Sequence, residues 1–430
     1  MNPIIVSSFC VYPEIKSSEG IVNKNWIDII NSHKENCFVL SATNSLKIVE
    51  FKNLYILKTR EDWFLKLMYK ASKENRSFIG IIYSILNRIL LKLGILENGI
   101  NLNQLIWSSR QKTVLSNILK LNKDYVFWAR ILPTFSISPL LEVWKVKKFP
   151  IIVNINDPIA DSEIEEKLLL NTSDKAQCWT FPSNRLAIKM ANKYELDLQR
   201  CFVIPHAMRE QKTLYLGHKS SSEKIKILYT GTFYKSAFTA AFMNQLKDFC
   251  HTKEYDNVEF TFILSQYDNN SLNWLKDSIP DVNIFIKLDR EKVLEIAKKA
   301  DCMLVIDGLI HQDLLKGKLI EAISLGLPVF SIGYQESVMD KVVMEYGGFS
   351  AYQNIENDIT NKLIQAVNDL GNFNWRIHFL VKRKDVMDKI SEQSIMDRTN
   401  KVSAYAYQRF LWQEGMQEVE PIPPLNLNWP

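Results

Sequence analysis

Between residues 225 and 332, short apolar, β-prone runs alternate with helical stretches without a break. Strands are predicted at Ile225 to Thr230, Val258 to Leu264, Val282 to Ile286, Cys302 to Ile306 and Pro328 to Ile332, and helices near 236–250, 270–277, 290–300 and 314–325. Such alternation leaves little choice of architecture. Neighbouring parallel strands need long crossover connections, and the helices that make them cover both faces of the sheet. The spacing therefore predicts an α/β, doubly wound parallel sheet, a class that binds its ligand outside the carboxyl ends of the strands.

The first half repeats the pattern less regularly. Strands are predicted at 3–8, 38–41, 54–57, 125–129 and 151–155, with helices at 21–32 and 136–146. At about 100–200 residues per domain, 430 residues imply two domains. The expected boundaries are 1–207 for the first, a linker at 208–224 that ends in the polar run Gly217 to Lys224, and 225–375 for the second. Residues 376–430 form a helical stretch followed by the tail Pro421-Ile422-Pro423-Pro424, which cannot be helical. A composition of 47% hydrophobic and 23% charged residues excludes disordered and collagen-like chains. The six cysteines show no C-x-x-C pair, so neither a disulfide framework nor a zinc site is signalled. No cationic segment precedes an apolar run at the start, so a signal peptide is not expected and a cytoplasmic location is.

Charge is unevenly spread. Residues 1–205 carry 27 Lys and Arg against 19 Asp and Glu, and residues 206–430 carry 26 against 29. A basic first half points to an anionic surface or a phosphorylated substrate; without a zinc-finger, helix-turn-helix or RNP-like pattern, nucleic acid is not expected. Within that half, residues 62–96 interleave Trp63, Phe64, Phe78, Ile82, Ile85 and Ile89 with Lys66, Lys70, Lys73, Arg76, Arg88 and Lys92 at helical spacing. Arg88 and Lys92 break the apolar stretch well short of the ~20 residues a membrane span needs. Two arrangements are open to it: a basic amphipathic helix lying in the headgroup layer, or a helical hairpin packed on its own domain with a solvated basic face.

Two stretches after strands carry candidate chemistry. Tyr229-Thr230-Gly231-Thr232-Phe233-Tyr234-Lys235 turns from a strand on a glycine. Glycine lets a phosphate approach the backbone N–H groups, with Lys235 supplying charge, although tight β-α turns also use glycine for steric reasons alone. In Asp313-Leu314-Leu315-Lys316-Gly317-Lys318-Leu319-Ile320-Glu321-Ala322, Lys318 and Glu321 share a helical face, and Asp313 belongs beside the strand end. Carboxylates accept from ribose and sugar hydroxyls, while lysine and a helix N-terminus hold phosphate. Asp157 follows an apolar strand; it suits proton acceptance from a hydroxyl, or an Asx turn before Pro158. Arg130 suits an anionic ligand or a structural carboxylate. His206 and His311 suit structural roles.

The order strand-Gly231-loop, Ala300-Asp301 before a strand, then K-L-I-E-A-x-x-x-G-x-P-V over residues 318–329 resembles the donor domain of the family 4 glycosyltransferases, which have the GT-B fold. Asp313 and Glu321 reproduce that family's spacing of two carboxylates, with aspartate where the family usually has glutamate. Ala129-Arg130, Asn156-Asp157-Pro158, Thr180-Phe181-Pro182-Ser183 and Ile204-Pro205-His206 are similar in order, and the resemblance covers roughly residues 1–375.

The resemblance implies two Rossmann-like domains facing a central cleft, with a terminal helix crossing back onto the first. It implies transfer of a sugar from a nucleotide-diphosphate donor to a glycan or lipid-linked acceptor in surface polysaccharide synthesis, with retention of configuration. The donor diphosphate would meet Gly231, Thr232, Lys235 and Lys318, the ribose Glu321, and the sugar Asp313. The acceptor would lie near Gly20, in the loop after the first strand, and near Arg130 and Asp157. The nucleotide sugar is a co-substrate, and no cofactor or metal is expected, since fixed cations and backbone donors stabilise a departing diphosphate. A place on the inner face of the cell membrane goes with a lipid-linked acceptor. A nucleotide-sugar epimerase of the same fold and an inert nucleotide-binding or membrane-associated partner are the alternatives.

Overall fold

The computed structural model describes residues 3–9, 11, 18–33, 37–41, 54–56, 78–93, 102–120, 124–131, 134–158, 163–206, 223–232, 237–267, 269–425 and 427–430. The chain divides into two compact units, one of Met1–Ile204 with Ile395–Trp429 and one of Pro205–Ser394. Among the described residues, the first unit holds β1 (Ile4–Ser8), β2 (Cys37–Leu40), β3 (Leu54–Ile56), β4 (Val126–Arg130), β5 (Ile151–Asn154), β6 (Cys178–Phe181) and β7 (Cys201–Val203). They form one parallel sheet in the order β3-β2-β1-β4-β5-β6-β7. Strands β1, β4, β5, β6 and β7 are buried at every residue, as a sheet covered on both faces requires. The sequence expectation had not reached β6 and β7 as strands; Trp179 and Cys201 are polarisable and aromatic rather than β-branched, but both are buried.

The helix Glu392–Gln413 runs from the second unit into the first. Within the first unit it caps two indoles in contact, their planes tilted by 50°. Trp26 and Trp128 lie with ring centroids 4.8 Å apart, and their indole N–H groups donate to Thr399 Oγ1 and Ser403 Oγ, each at 3.3 Å. Arg398 donates to the Val203 carbonyl at 2.9 Å, and the Val203 N–H donates to the Leu427 carbonyl at 3.0 Å. The proline-containing tail is thus tied to the end of β7.

The second unit holds β8 (Ile225–Thr232), β9 (Val258–Gln266), β10 (Asn283–Ile286), β11 (Cys302–Ile306), β12 (Val329–Gly333) and β13 (Phe349–Tyr352), parallel throughout in the order β10-β9-β8-β11-β12-β13. β13 lies beyond the strands expected from sequence. It follows the helix Val338–Tyr346, which Ser337 opens by accepting from the Asp340 N–H and Gly347 closes at φ 87°. Both ends obey capping chemistry. Another helix begins at Gly317, three residues after the expected start. Cys178, Cys201, Cys250 and Cys302 are buried free thiols.

Trp128 is fully buried, packs against Trp26 and donates to Ser403. Replacing it with alanine is expected to lower stability by about 3–5 kcal/mol, read from chemical unfolding followed by fluorescence.

Candidate functional site

In each sheet the strand order reverses once, and that reversal opens a crevice at the carboxyl edge. In the second unit it falls between β8 and β11, which pair from Ile227 with Cys302 to Tyr229 with Leu304. The residues just past both strands therefore stand at one edge. β8 ends in a register shift between Gly231 and Thr232, and Gly231 has φ 155°, a region open to glycine but strained for other residues. The turn is fixed by Tyr229, whose hydroxyl donates to the Thr232 carbonyl at 2.8 Å, and by Thr232 Oγ1, 2.9 Å from Ser265 Oγ. Lys235 lies outside the described residues.

Past β11, the fully buried Asp307 pairs with Lys316 Nζ at 2.9 Å. A single helical turn at Leu309–His311 follows, and the half-buried Asp313 sits in the loop beyond it. The Val338 N–H, donating to the Gln312 carbonyl at 2.9 Å, fastens that loop. Lys316 then precedes the helix Gly317–Ser324, which carries Lys318 and Glu321. Glu321 is almost wholly buried and ion-paired on both oxygens, with Arg290 Nη1 at 2.5 Å and with Lys318 Nζ, which donates to it, at 2.8 Å. Burial pushes its pKa upward, but Lys318 and Arg290 outweigh burial and hold the carboxylate below its usual range. Glu321 is thus an anion holding two cations at the sheet edge. Burial, and then Lys316, lower the pKa of His311, with Asp307 opposing.

The first unit has its reversal between β1 and β4. There the strand ends supply Ser8 and Arg130, and the helix Ser18–His33 supplies Glu19 and Asn23. All four are buried. Arg130 lies over the Trp26 ring at 4.8 Å and donates through Nε to Asn23 Oδ1, while Asn23 Nδ2 donates to Ser8 Oγ at 3.0 Å. Past β5, buried Asn156 donates to Glu19 Oε1 at 2.7 Å, and Asp157 beside it is half-buried. Burial pushes the Glu19 carboxyl up to about 7; Arg130 opposes the rise, Asp157 adds to it, and hydrogen bonds from Asn156 and Asn23 oppose it. Burial also lowers the Arg130 guanidinium to about 10, with Glu19 opposing. Among the described residues, no group of three or more His, Cys, Asp or Glu is placed to hold a metal ion.

No protein-family model matches the chain, and no curated protein matches it. Solved structures do. A glycosyltransferase from Rickettsia africae aligns at TM-score 0.62 and 12% identity over 94% of this chain and 98% of that one. HepE of Anabaena, solved in complex with UDP, aligns at TM-score 0.59 and 10% identity over 94% and 99%. The fold is that of the GT-B glycosyltransferases. TarM, a protein of S. aureus, aligns at TM-score 0.52 and 14% identity over 69% of this chain, which spans only 58% of TarM's length.

Within this GT-B fold the structure sorts the expected residues. Gly231 and Thr232 close β8, and Lys318 and Glu321 stand past β11 at the same edge of one sheet, with Asp313 in the loop before their helix. Gly20, expected in the loop after the first strand, lies instead inside the first turn of the helix Ser18–His33, because that helix begins before it. Arg130 is buried beneath Trp26 and Asn23, with an amide oxygen and an indole ring as its direct contacts. The sequence reading passed over Arg290, Asp307 and Lys316, which their positions mark out only in part. Asp307 directly follows a strand, as Asp157 follows another, and Arg290 opens the helix Arg290–Ala297 four residues past β10. Glu19 and Asn23 carried no motif; only the packing of their helix shows their burial.

A folded pKa near 7, above the ordinary 4.5, means that Glu19 stabilises the fold fully below about pH 4.5 and loses that contribution as pH rises through about 7. Glu19→Gln, which keeps a neutral side chain, is expected to remove this loss, worth roughly 3 kcal/mol. Melting temperature measured from pH 4 to 8 on both proteins checks it: the wild type should fall more steeply.

Proposed function

We propose that the chain is a glycosyltransferase that moves a sugar from a nucleoside-diphosphate donor to a hydroxyl of a glycan or lipid-linked acceptor. The observation that carries the reading is the edge of the second sheet: a turn that only glycine enters without strain and a buried carboxylate flanked by Arg290 and Lys318, on either side of the strand-order reversal. The GT-B likeness supports it. In this reading the backbone N–H groups past Gly231, with Thr232, Lys235 and Lys318, hold the diphosphate. Glu321 accepts from the ribose hydroxyls, and Asp313 accepts from a hydroxyl of the donor sugar.

In the step proposed, the bond between the anomeric carbon and the β-phosphate oxygen breaks, and its electrons leave with the diphosphate. The acceptor oxygen bonds to that carbon, and its proton passes to the Asp157 carboxylate. Fixed cations then stabilise the charge on the leaving group without reorganising at the moment of reaction. Arg290 belongs with them: its pairing with Glu321 aims a guanidinium at the sheet edge. We propose no metal for this step, and retention of the anomeric configuration. Surface polysaccharide synthesis on the cytoplasmic side of the cell membrane is the setting proposed.

Nucleoside diphosphate release with and without acceptor tests the reading. A transferase liberates one diphosphate per glycoside formed, an epimerase releases nucleotide only by hydrolysis, and a binding partner releases none. UDP, GDP and ADP are to be compared by thermal shift, since a bound ligand raises the melting temperature by mass action. If no nucleoside diphosphate shifts the melt, the proposal fails.

The two halves are separable by substitution. Glu321→Ala is expected to abolish the nucleotide-induced shift. Asp157→Asn should preserve the shift and lower turnover by about 10²–10⁴-fold, the usual weight of a proton acceptor. Turnover near wild type in Asp157→Asn would remove Asp157 from the mechanism.

A further inference from the structure

The helix Phe78–Lys92 is turned inside out for a helix packed on a protein. Gly80 and Tyr83 are its buried residues, and the half-buried Asn87 shares their side. Asn87 donates to the Tyr83 carbonyl at 2.9 Å and accepts from the Leu102 N–H at 2.7 Å, so the polar side of the helix is the one fixed to the protein. The opposite side carries Phe78, Ile82, Ile85 and Ile89, spaced so that they form one stripe. Phe78 is 77% exposed, Ile85 50%, and Leu93 just beyond the helix 66%. Scattered exposed apolar residues are ordinary, but a continuous stripe of them marks an interaction surface.

Charge decides between occupants. The helix has no acidic residue; its charges, Arg88 and Lys92, both lie near its end and, at helical spacing, along one border of the stripe. The same helix of a second copy would bring the same cations and no anion to meet them. Anionic headgroups supply the missing charge, acyl chains accept the stripe, and the surplus of Lys and Arg in residues 1–205 adds long-range attraction. At fifteen residues the helix is about 22 Å long, short of the bilayer's hydrocarbon thickness, and among the described residues no helix is long and apolar enough to cross a membrane.

We propose that the helix Phe78–Lys92 docks the protein on an anionic lipid surface, lying in the plane of the headgroups with the Phe78-Ile82-Ile85-Ile89 stripe inserted. The inference stands apart from the transferase reading, because lipid binding needs no turnover.

The test is co-sedimentation of the full chain with vesicles of phosphatidylglycerol mixed with phosphatidylcholine, and with vesicles of phosphatidylcholine alone. Wild type is expected to bind the anionic vesicles at least 10-fold more tightly, with the preference shrinking as salt is added. Arg88→Glu with Lys92→Glu should weaken that binding by about 30-fold or more. Ile82→Ser with Ile85→Ser and Ile89→Ser should weaken binding to both kinds of vesicle. These side chains are exposed or near the surface, and an unchanged melting temperature verifies that each variant is folded. No binding by wild type, or wild-type binding by both variants, overturns the proposal. So does sedimentation velocity showing a dimer that the serine variant dissolves, because the stripe would then belong to a second copy.

Discussion

Parallel pairing of adjacent strands whose connections leave in opposite directions governs the chemistry of both units. Because β8 and β11 run side by side in the same sense, the turn at Gly231 and the segment from Asp307 to Glu321 cannot be at different ends of the sheet, although some eighty residues separate them. β1 and β4 do the same for Ser8 and Arg130 across a longer gap. No side chain has to search for its partner. The backbone ladder brings them to one edge, and the reversal of strand order keeps that edge uncovered.

What collects there is charge, and the two edges handle it in opposite ways. In the second unit, buried Glu321 stays ionised because Arg290 and Lys318 compensate it, and buried Asp307 is paired with Lys316. Both carboxylates act as anchors for cations, which is a sound arrangement for meeting a polyanion. In the first unit, Glu19 and Arg130 are both buried, and neutral groups, Asn23 and Asn156, make the direct contacts. A carboxyl in that setting keeps its proton to a far higher pH. One edge is therefore ionic at neutral pH, and the other is poised between charged and neutral.

The alternation of strands and helices was legible because its signal is periodic and local. Ile225 to Thr230 and Cys302 to Ile306 announce themselves by composition alone, and the structure puts strands there. β13 was harder, since Phe349-Ser350-Ala351-Tyr352 is short and mixed, and its burial comes from pairing with β12. The candidate site was legible to the extent that it follows the strand ends. Glu321 and Gly231 sit inside recognisable spacings, whereas Arg290 is found only once the ion pair to Glu321 is seen. The exposed side of the helix Phe78–Lys92 was one of two arrangements left open, because periodicity identifies a stripe but not whether it faces a core or the solvent.

The first unit is assembled from two stretches of chain separated by the whole of the second. Residues 395–429 supply the hydroxyls that take up the indole N–H groups of Trp26 and Trp128, so on the ribosome the N-terminal sheet emerges without them and stays so until the second unit has been made. The unit of residues 205–394 is continuous and can close first. The order of completion thus runs against the order of synthesis, and a chain cut short before residue 395 would carry all seven strands of the first sheet but no acceptor for the indoles of Trp26 and Trp128, leaving them to any chaperone or protease.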